Sequence, residues 1–332
     1  MNCLVTGANG FIGQRMCERL SLEGHKVRCL VRSLEKFRPL SHLDSVTPVI
    51  GDLEAESALK EGARGCDTVF HLAAYAKPWS KDKSLSYRIN VTGTENLLRA
   101  ALQEGVKRFV FTSSAAVIGP SPGVEPIDES YPRDVPSFNE YEETKAAAEE
   151  LVRSYCRDGM ETVIVNPPRV YGPGPVNESN SITKIIRLYS LGKWRIMPGD
   201  GKCIGNYVLV DDVVKGHILA AINGKPGDRY ILGGENLTFR QLFKILAELT
   251  GKQRSMIYFP IWLMKVVAGV MEGQASVTGI APLITVPWVK KYLNHWSLSS
   301  NKAKTDLGYD NTPFREGARI TLDWLKTTGE LK

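Results

Sequence analysis

Tyr141 and Lys145 stand four residues apart in a segment, about 138–157, whose apolar pattern predicts a long helix. Side chains four residues apart share one face of a helix. A free tyrosine loses its proton near about pH 10, and a neighbouring ammonium lowers that pKa because it favours the phenolate. The pair therefore predicts a proton-transfer site that works at neutral pH. Asn90, in a helix predicted over 84–104, is expected to hold a water that relays protons from Lys145.

The same tyrosine–lysine spacing occurs a second time, at Tyr189 and Lys193, so the spacing alone is a weak signal. Gly192 precedes the second lysine and predicts a helix end there, which places this second pair on the surface. Tyr141 is favoured by its context, because a glycine turn and a strand that ends in hydroxyl groups come before it in the chain.

Three glycines, Gly7, Gly10 and Gly13, stand three residues apart after a short apolar run. An amphipathic segment around 11–23 follows, so the pattern predicts a strand, a tight turn and a helix. Backbone N–H groups and a helix N-terminus then meet where a pyrophosphate is favoured, and a side chain would block its approach. The spacing differs from the better known G-x-G-x-x-G, and a glycine-rich turn without a ligand is the alternative. The predicted dinucleotide contacts in this turn are Gly7, Asn9, Gly10, Phe11, Ile12 and Gly13.

The strand that ends in hydroxyl groups is predicted over 108–112 and is followed by Ser113 and Ser114. A serine hydroxyl beside the tyrosine can polarise a substrate carbonyl. Ligands of parallel sheets bind outside the carboxyl ends of the strands. Thr112, at such an end, is therefore predicted to contact the dinucleotide.

Arg32 directly follows the second predicted strand, 27–31. An NAD site usually carries an acid at this place, which binds the ribose 2′-hydroxyl. Lys36 follows closely and adds a second positive charge. A guanidinium can hold a 2′-phosphate through two hydrogen bonds, so the sequence favours NADP as the cofactor, with NAD as the alternative. A solvated arginine that stacks on adenine is the competing interpretation of Arg32.

Two further strand ends are predicted to contact the dinucleotide. The third strand, 46–50, leads to Asp52 and Leu53, and the Asp52 carboxylate could accept a hydrogen bond from the adenine amino group or cap the next helix. The fourth strand, 67–72, runs into small residues that let the backbone pass close to a dinucleotide. His71 in this strand is predicted to be structural. The predicted contacts at this end are Leu72, Ala73 and Ala74.

The composition is that of an ordinary globular enzyme. The chain has 332 residues, of which 43% are hydrophobic, and its net charge of +6 comes from scattered basic residues, so no nucleic-acid partner is expected. Six cysteines without paired short spacing argue against a metal site or a disulfide framework and favour a reducing, cytoplasmic location. No stretch is apolar over the roughly 20 residues that a membrane span needs, and no signal peptide is expected before the first strand.

Strands and helices alternate through the first half, which predicts an α/β fold: a Rossmann-type doubly wound parallel sheet with a smaller C-terminal substrate-binding lobe. The dinucleotide-binding domain is predicted over 1–170, with 206–224 returning to it, and the lobe over 171–205 and 225–332. The most apolar run, 257–270, is too short to span a membrane. It is predicted to be a buried helix or the wall of an apolar pocket, with peripheral membrane contact as the lesser alternative.

Together these residues resemble the extended short-chain dehydrogenase/reductase superfamily, also called the NAD-dependent epimerase/dehydratase family, over nearly the whole chain. The resemblance implies Ser114, rather than Ser113, as the catalytic serine, with Tyr141 as the acid/base and Lys145 as its partner. It also suggests a homodimer through two packed helices. The matching segments are 6–13, 51–53, 71–74, 90–94, 112–114, 170–174 and 210–213, together with Tyr141 and Lys145.

Within that superfamily the chain is more similar to dihydroflavonol 4-reductase-like and 3β-hydroxysteroid dehydrogenase-like reductases than to sugar-nucleotide epimerases. Arg32 ends its strand as in the reductases, and Asn166-Pro167 replaces the Arg-Pro that is common in epimerases, although 169–174 is shared with them. The resemblance implies that Pro167 and Pro168 line the nicotinamide. The implied activity is NADP(H)-dependent interconversion of a ketone and a secondary alcohol on an apolar or aromatic small molecule, such as a steroid, a dihydroflavonol or a 3-oxoacyl compound. The alternative is an NAD-dependent nucleotide-sugar epimerase or dehydratase.

Overall fold

The structure is a computed structural model that describes residues 1–76, 82, 84–175, 180–279, 282 and 284–331. Its strands are β1 (Asn2–Thr6), β2 (Lys26–Val31), β3 (Val46–Ile50), β4 (Thr68–His71), β5 (Arg108–Thr112), β6 (Glu161–Val165), β7 (Arg169–Tyr171), β8 (Ile196–Pro198), β9 (Ile204–Leu209), β10 (Arg229–Tyr230), β11 (Glu235–Thr238) and β12 (Ile257–Phe259). Seven of them form a parallel sheet in the order β10-β6-β5-β4-β1-β2-β3. The order changes direction between β1 and β4, and ligands of open α/β sheets bind at such a switch point.

The α-helices cover both faces of this sheet and build a smaller lobe. They are α1 (Phe11–Leu22), α2 (Leu34–Phe37), α3 (Glu56–Ala63), α4 (Ser84–Tyr87), α5 (Gly93–Gln103), α6 (Glu140–Arg157), α7 (Ser181–Ser190), α8 (Val210–Asn223), α9 (Phe239–Thr250), α10 (Ile261–Thr278), α11 (Val286–Tyr292), α12 (Asn301–Leu307) and α13 (Phe314–Thr327).

Two hydrophobic cores lie on opposite faces of the central sheet. One joins Met16 of α1 and Val214 of α8 to the strands, and the other joins Leu59 of α3, Leu97 of α5 and Val152 of α6 to them. Strands buried on both faces are expected to be apolar without alternation, and β1 has four consecutive buried residues. The predicted doubly wound α/β fold is confirmed.

The smaller lobe has its own core and two short sheets, β11-β9-β7 and β12-β8. In the range 206–224, which is predicted to return to the first domain, α8 packs against the central sheet and β9 belongs to the sheet β11-β9-β7. Within the predicted lobe range 225–332, β10 pairs with β6 of the central sheet, and α12 packs under that sheet through Ala303 and Leu307. The chain therefore crosses between the two parts more often than the predicted domain boundaries imply.

Two helices differ from their predicted ranges. The helix predicted over 84–104 is divided into α4, a π-helical turn at Arg88–Thr92 and α5. The sequence also predicts a helix over 53–63, and the observed helix α3 begins at Glu56, because Asp52 Oδ1 accepts a hydrogen bond from the Glu54 N–H at 2.9 Å and holds a turn before it.

The apolar run 257–270 forms β12 and the first part of α10. One face of α10 packs against α11 through Met264 and Ala268, which are 6% and 0% exposed. The opposite face carries Trp262 and Val266, which are 67% and 53% exposed. The prediction of a buried helix or a pocket wall is therefore wrong for this outer face. In the part of the chain that the structure describes, no helix is both long and apolar enough to cross a membrane.

Candidate active site

The glycine turn joins β1 to α1 with no room for side chains. Gly7 has a φ of +70°, and a Cβ there would lie 2.7 Å from the Ala73 backbone nitrogen. A Cβ on Gly13 would lie 2.1 Å from the Gly7 carbonyl oxygen. Gly10 caps α1 without any side-chain hydrogen bond, so the first N–H groups of that helix keep no side-chain partner at the cap. A tight backbone cradle at an uncapped helix N-terminus fits a pyrophosphate.

The end of β4 forms the second wall of this cradle. The backbone N–H groups of Leu72 and Ala73 donate to the backbone and side-chain oxygens of Thr6, at 3.3 and 3.2 Å. His71 beside them is buried, and its two ring nitrogens lie 2.6 Å from Thr6 Oγ1 and 2.9 Å from Thr94 Oγ1. Burial, with the nearby Lys145 charge, lowers the pKa of His71 to about 3. A neutral histidine with both nitrogens engaged has the structural role predicted for it.

The end of β2 is positively charged and exposed. Arg32 and Lys36 are both exposed, and neither forms a salt bridge with a described carboxylate. Ser33, between them, accepts a hydrogen bond from the Lys36 N–H and caps α2. Across the adjacent strand end, Asp52 is exposed and holds the turn at Glu54 rather than capping α3, whose N-cap is Ala55. The cationic end of β2 is therefore free to meet an anionic ribose substituent.

Ser114 and Tyr141 come together across the carboxyl end of β5. The Ser114 hydroxyl lies next to the Tyr141 phenol and lowers its pKa, against the larger effect of burial. Ser114 Oγ also accepts the Ala116 N–H at 3.2 Å, whereas the Ser113 hydroxyl is buried without a described partner. Asn139 caps α6 through a 3.0 Å hydrogen bond from the Glu142 N–H, and this fixes the helix start beside the serine loop. Ser114, rather than Ser113, is thus in contact with the tyrosine.

Burial dominates the protonation of Tyr141 and Lys145. It raises the pKa of Tyr141 to about 12 and lowers that of Lys145 to about 7, because it disfavours the phenolate and the ammonium alike. The Lys145 Nζ lies 3.9 Å from the centroid of the Phe111 ring, and the Glu149 charge one turn later partly restores its pKa. The prediction that Lys145 lowers the Tyr141 pKa is therefore wrong in this structure. Tyr141 holds its proton at neutral pH, which suits it to donate one.

Asn90 lies in the π-helical turn and connects three segments around α6. Its Oδ1 accepts the Tyr75 N–H at 2.7 Å, and its Nδ2 donates to the Tyr75 carbonyl at 3.1 Å and to Thr144 Oγ1 at 3.0 Å. Ser86 Oγ is a further acceptor at 3.4 Å. Thr144, the neighbour of Lys145 on α6, is thus hydrogen-bonded to Asn90. The role predicted for Asn90, to hold a water that relays protons, stays a prediction.

The remaining predicted contacts lie after β6, after β3 and at the end of β5. Pro167 is buried beside the serine loop, where its carbonyl accepts the Ala115 N–H at 3.1 Å, and Pro168 is half-buried. Leu53 is buried and packs closely against Gly93. A Cβ added at Gly93 would lie 2.8 Å from the Leu53 Cβ. The Thr112 hydroxyl lies 2.8 Å from Nε2 of buried His217, so the structure directs it to α8 and not to the glycine turn.

Asn166 and Glu149 form a buried support below the site that the sequence did not indicate. Asn166 Nδ2 donates to Glu149 Oε1 at 2.7 Å and to the Ser114 carbonyl at 3.0 Å. The other Glu149 oxygen lies 3.1 Å from a guanidinium nitrogen of Arg153. The loop that carries Ser114 is therefore tied to the helix that carries Lys145.

Glu142, the neighbour of Tyr141, is a second residue that the sequence did not indicate. It is fully buried, and its Oε2 accepts hydrogen bonds from the Arg133 guanidinium at 2.8 Å and the Phe138 N–H at 3.1 Å. Its Oε1 lies 3.2 Å from the Lys291 Nζ on α11. The start of the catalytic helix is thus fastened both to the preceding loop and to the lobe.

Arg169 places a guanidinium among aromatic rings near this fastening. It lies 4.5 Å from the centroid of the Tyr292 ring, and its Nη1 donates to the Tyr207 hydroxyl at 3.0 Å. No described carboxylate lies within salt-bridge distance of it. Burial lowers the pKa of Lys291, and the charges of Arg169 and Arg133 lower it further, which shows that the three cations are neighbours.

The second tyrosine–lysine pair is not a second site. Tyr189 is 1% exposed in the lobe core, and its hydroxyl donates to the Lys252 carbonyl at 3.2 Å, so the prediction of a surface position is wrong for it. α7 ends at Ser190, and Gly192 follows with a φ of +75°. Lys193 lies beyond this end and is exposed, so it shares no helix face with Tyr189.

Comparison with known proteins places the chain in a family. Residues 3–233 match the NAD dependent epimerase/dehydratase family, and the chain belongs to it. It is 32% identical over 333 residues to the Synechocystis sp. protein named "Putative dihydroflavonol 4-reductase", covering 99% of this chain and 95% of that protein. It is 28% identical over 350 residues to 3beta-hydroxysteroid-dehydrogenase/decarboxylase isoform 1 of Arabidopsis thaliana, covering 97% and 79%.

Solved structures of the family share the fold. UDP-glucose 4-epimerase of Thermotoga maritima, solved with UDP-glucose, matches with a TM-score of 0.81 at 26% identity over 99% of each chain. The family match and the relatives of this chain identify it as an extended short-chain dehydrogenase/reductase of the reductase and hydroxysteroid dehydrogenase branch. They also identify it as an NAD(P)-dependent oxidoreductase.

Proposed function

We propose that this member of the NAD dependent epimerase/dehydratase family interconverts a ketone and a secondary alcohol on an apolar or aromatic small molecule, with NADP(H) as its cofactor. The observation that carries the proposal is the position of Tyr141 next to Ser114 and one helical turn from buried Lys145. A phenol, a hydroxyl and an amine at one strand end suit a carbonyl oxygen that gains or loses a proton.

In the direction of reduction, the Tyr141 phenol gives its proton to the carbonyl oxygen, and the Ser114 hydroxyl donates a hydrogen bond to the same oxygen. The Tyr141 pKa of about 12 keeps that proton in place at neutral pH. The carbonyl carbon would receive its hydride from a nicotinamide held at these strand ends. Lys145 orients the phenol from the same helix face and binds the nicotinamide ribose, while Asn90 supports the helix and relays protons through a water.

The dinucleotide is held, in this proposal, by the cradle that a Cβ would fill. Gly7, Gly10 and Gly13 bring the backbone to the pyrophosphate, which meets the uncapped N-terminus of α1. The other predicted contacts complete the groove along the strand ends. They are Asn9, Phe11, Ile12, Asp52, Leu53, Leu72, Ala73, Ala74, Pro167 and Pro168, together with the backbone of Thr112, whose hydroxyl is engaged by His217.

NADP is proposed over NAD because of the charge at the end of β2. Arg32 and Lys36 are exposed without described carboxylate partners, so their full charge can meet a 2′-phosphate. An acid at this strand end would instead favour the free 2′-hydroxyl of NAD. The first acid there is Glu35, which is exposed on α2.

The proposed substrate class rests on the chain's relatives. Relatives named for a dihydroflavonol reductase and a hydroxysteroid dehydrogenase support an apolar or aromatic ketone as the substrate.

Six free cysteines support a reducing, cytoplasmic location. A homodimer and the lobe as the substrate-binding part are also proposed, by similarity to the family.

The test is NADPH consumption by the purified protein over 3-ketosteroids, dihydroflavonols and 3-oxoacyl compounds. Net consumption with one class, matched by the amount of alcohol formed, is the expected result. Absence of net consumption with every class would contradict the proposal.

The second candidate is a nucleotide-sugar epimerase or dehydratase, which the match to UDP-glucose 4-epimerase favours. Such an enzyme oxidises and re-reduces its substrate, so it regenerates its cofactor and consumes none. NAD that remains bound through purification, together with turnover of a nucleotide sugar, would support this candidate.

A further inference from the structure

One surface of the lobe combines exposed apolar side chains in an unusual density. Seven of the sixteen large hydrophobic side chains that the described residues expose lie within β8, β12 and the first ten residues of α10. We call these seven the exposed apolar patch. They are Ile196 (42% exposed), Ile257 (62%), Tyr258 (54%), Ile261 (41%), Trp262 (67%), Val266 (53%) and Val270 (66%).

The seven side chains form one surface because of how their elements pair. β12 runs parallel to β8 with Ile257 opposite Ile196, and α10 begins directly after β12. On α10, Trp262, Val266 and Val270 follow each other at intervals of four residues, so they form a row about 12 Å long on one helix face. The buried residues Met264 and Ala268 lie on the opposite face, against α11. The row is therefore the unpaired face of a helix that is anchored on its other side.

The charge of the whole chain is concentrated around this patch. Segments 191–204 and 251–296, which contain the patch, hold eight of the 42 Lys and Arg residues but two of the 36 Asp and Glu residues. The rest of the chain has thirty-four of each and is neutral, so these two segments carry the entire net charge of +6. The exposed cations there that form no salt bridge with a described carboxylate are Lys193, Arg195, Lys252, Lys265 and Lys290.

We propose that the exposed apolar patch and its surrounding cations bind the surface of a membrane that contains anionic phospholipids. Apolar side chains on one helix face enter the boundary between headgroups and acyl chains, and flanking lysines and arginines meet the anionic headgroups. Trp262 suits this boundary because its ring is apolar and its N–H is polar. This inference does not depend on the proposed reaction.

The charge also decides between a membrane and a second copy of this chain. Two copies that met through the patch would bring together two sets of exposed cations, each with five that form no salt bridge with a described carboxylate. Like charges at an interface oppose association, whereas an anionic leaflet compensates them. The patch is thus complementary to a lipid surface and not to itself.

A single helix, α11, connects α10 to the candidate active site. α10 packs on α11, and Lys291 of α11 lies 3.2 Å from Glu142, the neighbour of Tyr141. A protein seated on a bilayer through α10 would therefore hold the Tyr141 end of α6 one helix away from the lipid.

The test is sedimentation of the full chain with vesicles. One set contains equal parts of phosphatidylcholine and phosphatidylglycerol, and the other phosphatidylcholine alone. The wild type is expected to sediment with the mixed vesicles at low salt, to be released at high salt, and to bind the neutral vesicles at least about tenfold more weakly. No binding to the mixed vesicles, or equal binding to both sets, would overturn the proposal.

Paired variants locate the surface. Val266→Asp combined with Val270→Asp is expected to lose at least about tenfold in vesicle affinity, because charge replaces buried apolar area. The matched control combines Leu22→Asp with Ile222→Asp, two exposed helix positions outside the patch, and should bind like the wild type. Equal binding of both double variants would overturn the proposal, as would a dimer on gel filtration that only the patch variant loses.

A charge pair completes the design. Lys265→Glu should weaken binding by at least about fivefold, since each basic residue near an anionic surface contributes about that factor. Lys107→Glu makes the same change at an exposed lysine outside the two basic segments and should leave binding unchanged. The positions changed in the two double variants and in the two lysine variants are all exposed. Thermal unfolding should therefore show that each of these variants is folded.

Discussion

The glycine turn and the exposed apolar patch show opposite uses of apolar sequence in one chain. Before the turn, β1 buries four consecutive residues because helices cover both faces of the sheet, and the backbone then comes close enough to exclude any Cβ. In the patch, α10 buries Met264 and Ala268 and leaves Trp262 exposed. The difference teaches that an apolar run marks a core only when elements lie on all its sides. Changes near the turn should therefore alter turnover and cofactor affinity but not vesicle binding.

The first prediction expects a large difference in kcat between variants of two adjacent serines. Ser114→Ala should lower kcat by about 10²–10³, because it removes the hydroxyl that meets Tyr141 and the reacting oxygen. Ser113→Ala should stay within about twofold, since the Ser113 hydroxyl has no described partner. Steady-state kinetics with NADPH and the best ketone gives both values. Equal losses in the two variants would show that the serine loop acts as a unit and not through Ser114.

The second prediction concerns the closest backbone approach in the turn. Gly13→Ala should lower the free energy of unfolding by about 1–3 kcal/mol, because the added Cβ would lie 2.1 Å from the Gly7 carbonyl oxygen. Gly123→Ala is the matched control, as a Cβ there meets nothing within 4 Å. Urea denaturation of both variants measures the difference. If Gly13→Ala unfolds like the wild type, the turn is looser than the structure has it.

The third prediction tests the charge at the end of β2. Arg32→Gln should raise the KM for NADPH by about tenfold or more and leave kcat unchanged, because a hydrogen bond to a charged group contributes about 1.5–3 kcal/mol. Arg319→Gln, on an exposed arginine of α13, should change neither constant. An unchanged KM in Arg32→Gln would remove the argument for NADP.

The smallest effect is expected in the pH dependence of kcat/KM. Burial lowers the Lys145 pKa to about 7, so its positive charge is present below that pH and is lost as the pH rises through it. Activity that needs the ammonium should fall in the same range. Glu149→Gln should move this inflection to lower pH, since the Glu149 charge raises the Lys145 pKa. Exposed Glu150→Gln is the control, and identical profiles for the two variants would contradict this assignment.

Features that depend on local spacing could be predicted from the sequence. The glycine turn, the hydroxyl end of β5 and the pair Tyr141 and Lys145 each follow from residues within a few positions of each other. The parallel sheet follows from the alternation of strands and helices, and the structure confirms it. Of the three glycines in the turn, Gly7 alone has a positive φ. The spacing of Gly7, Gly10 and Gly13 already indicated a tight turn.

Features that depend on distant contacts could not be predicted. Glu140, Glu142 and Glu143 look alike at the start of α6, yet Glu142 alone is buried, because Arg133 and Lys291 meet it from other parts of the chain. The outer face of α10 could not be recognised either, since a helix period says which residues share a face but not whether another element covers it.

The pKa of Tyr141 shows the same limit. The spacing to Lys145 indicated a lowered value, but burial raises the Tyr141 pKa, and the Glu142 charge raises it further. Burial of this kind is a property of the assembled site, which a four-residue spacing does not contain.

The most direct test of the central claim compares the two tyrosines of the repeated spacing. Tyr141→Phe should bind NADPH like the wild type and lose about 10²–10⁴ of its ketone reduction, because the proton donor is gone. Tyr189→Phe should reduce the ketone at a near wild-type rate, since Tyr189 lies in the lobe core and bonds to Lys252. Turnover of Tyr141→Phe at the wild-type rate would contradict the account.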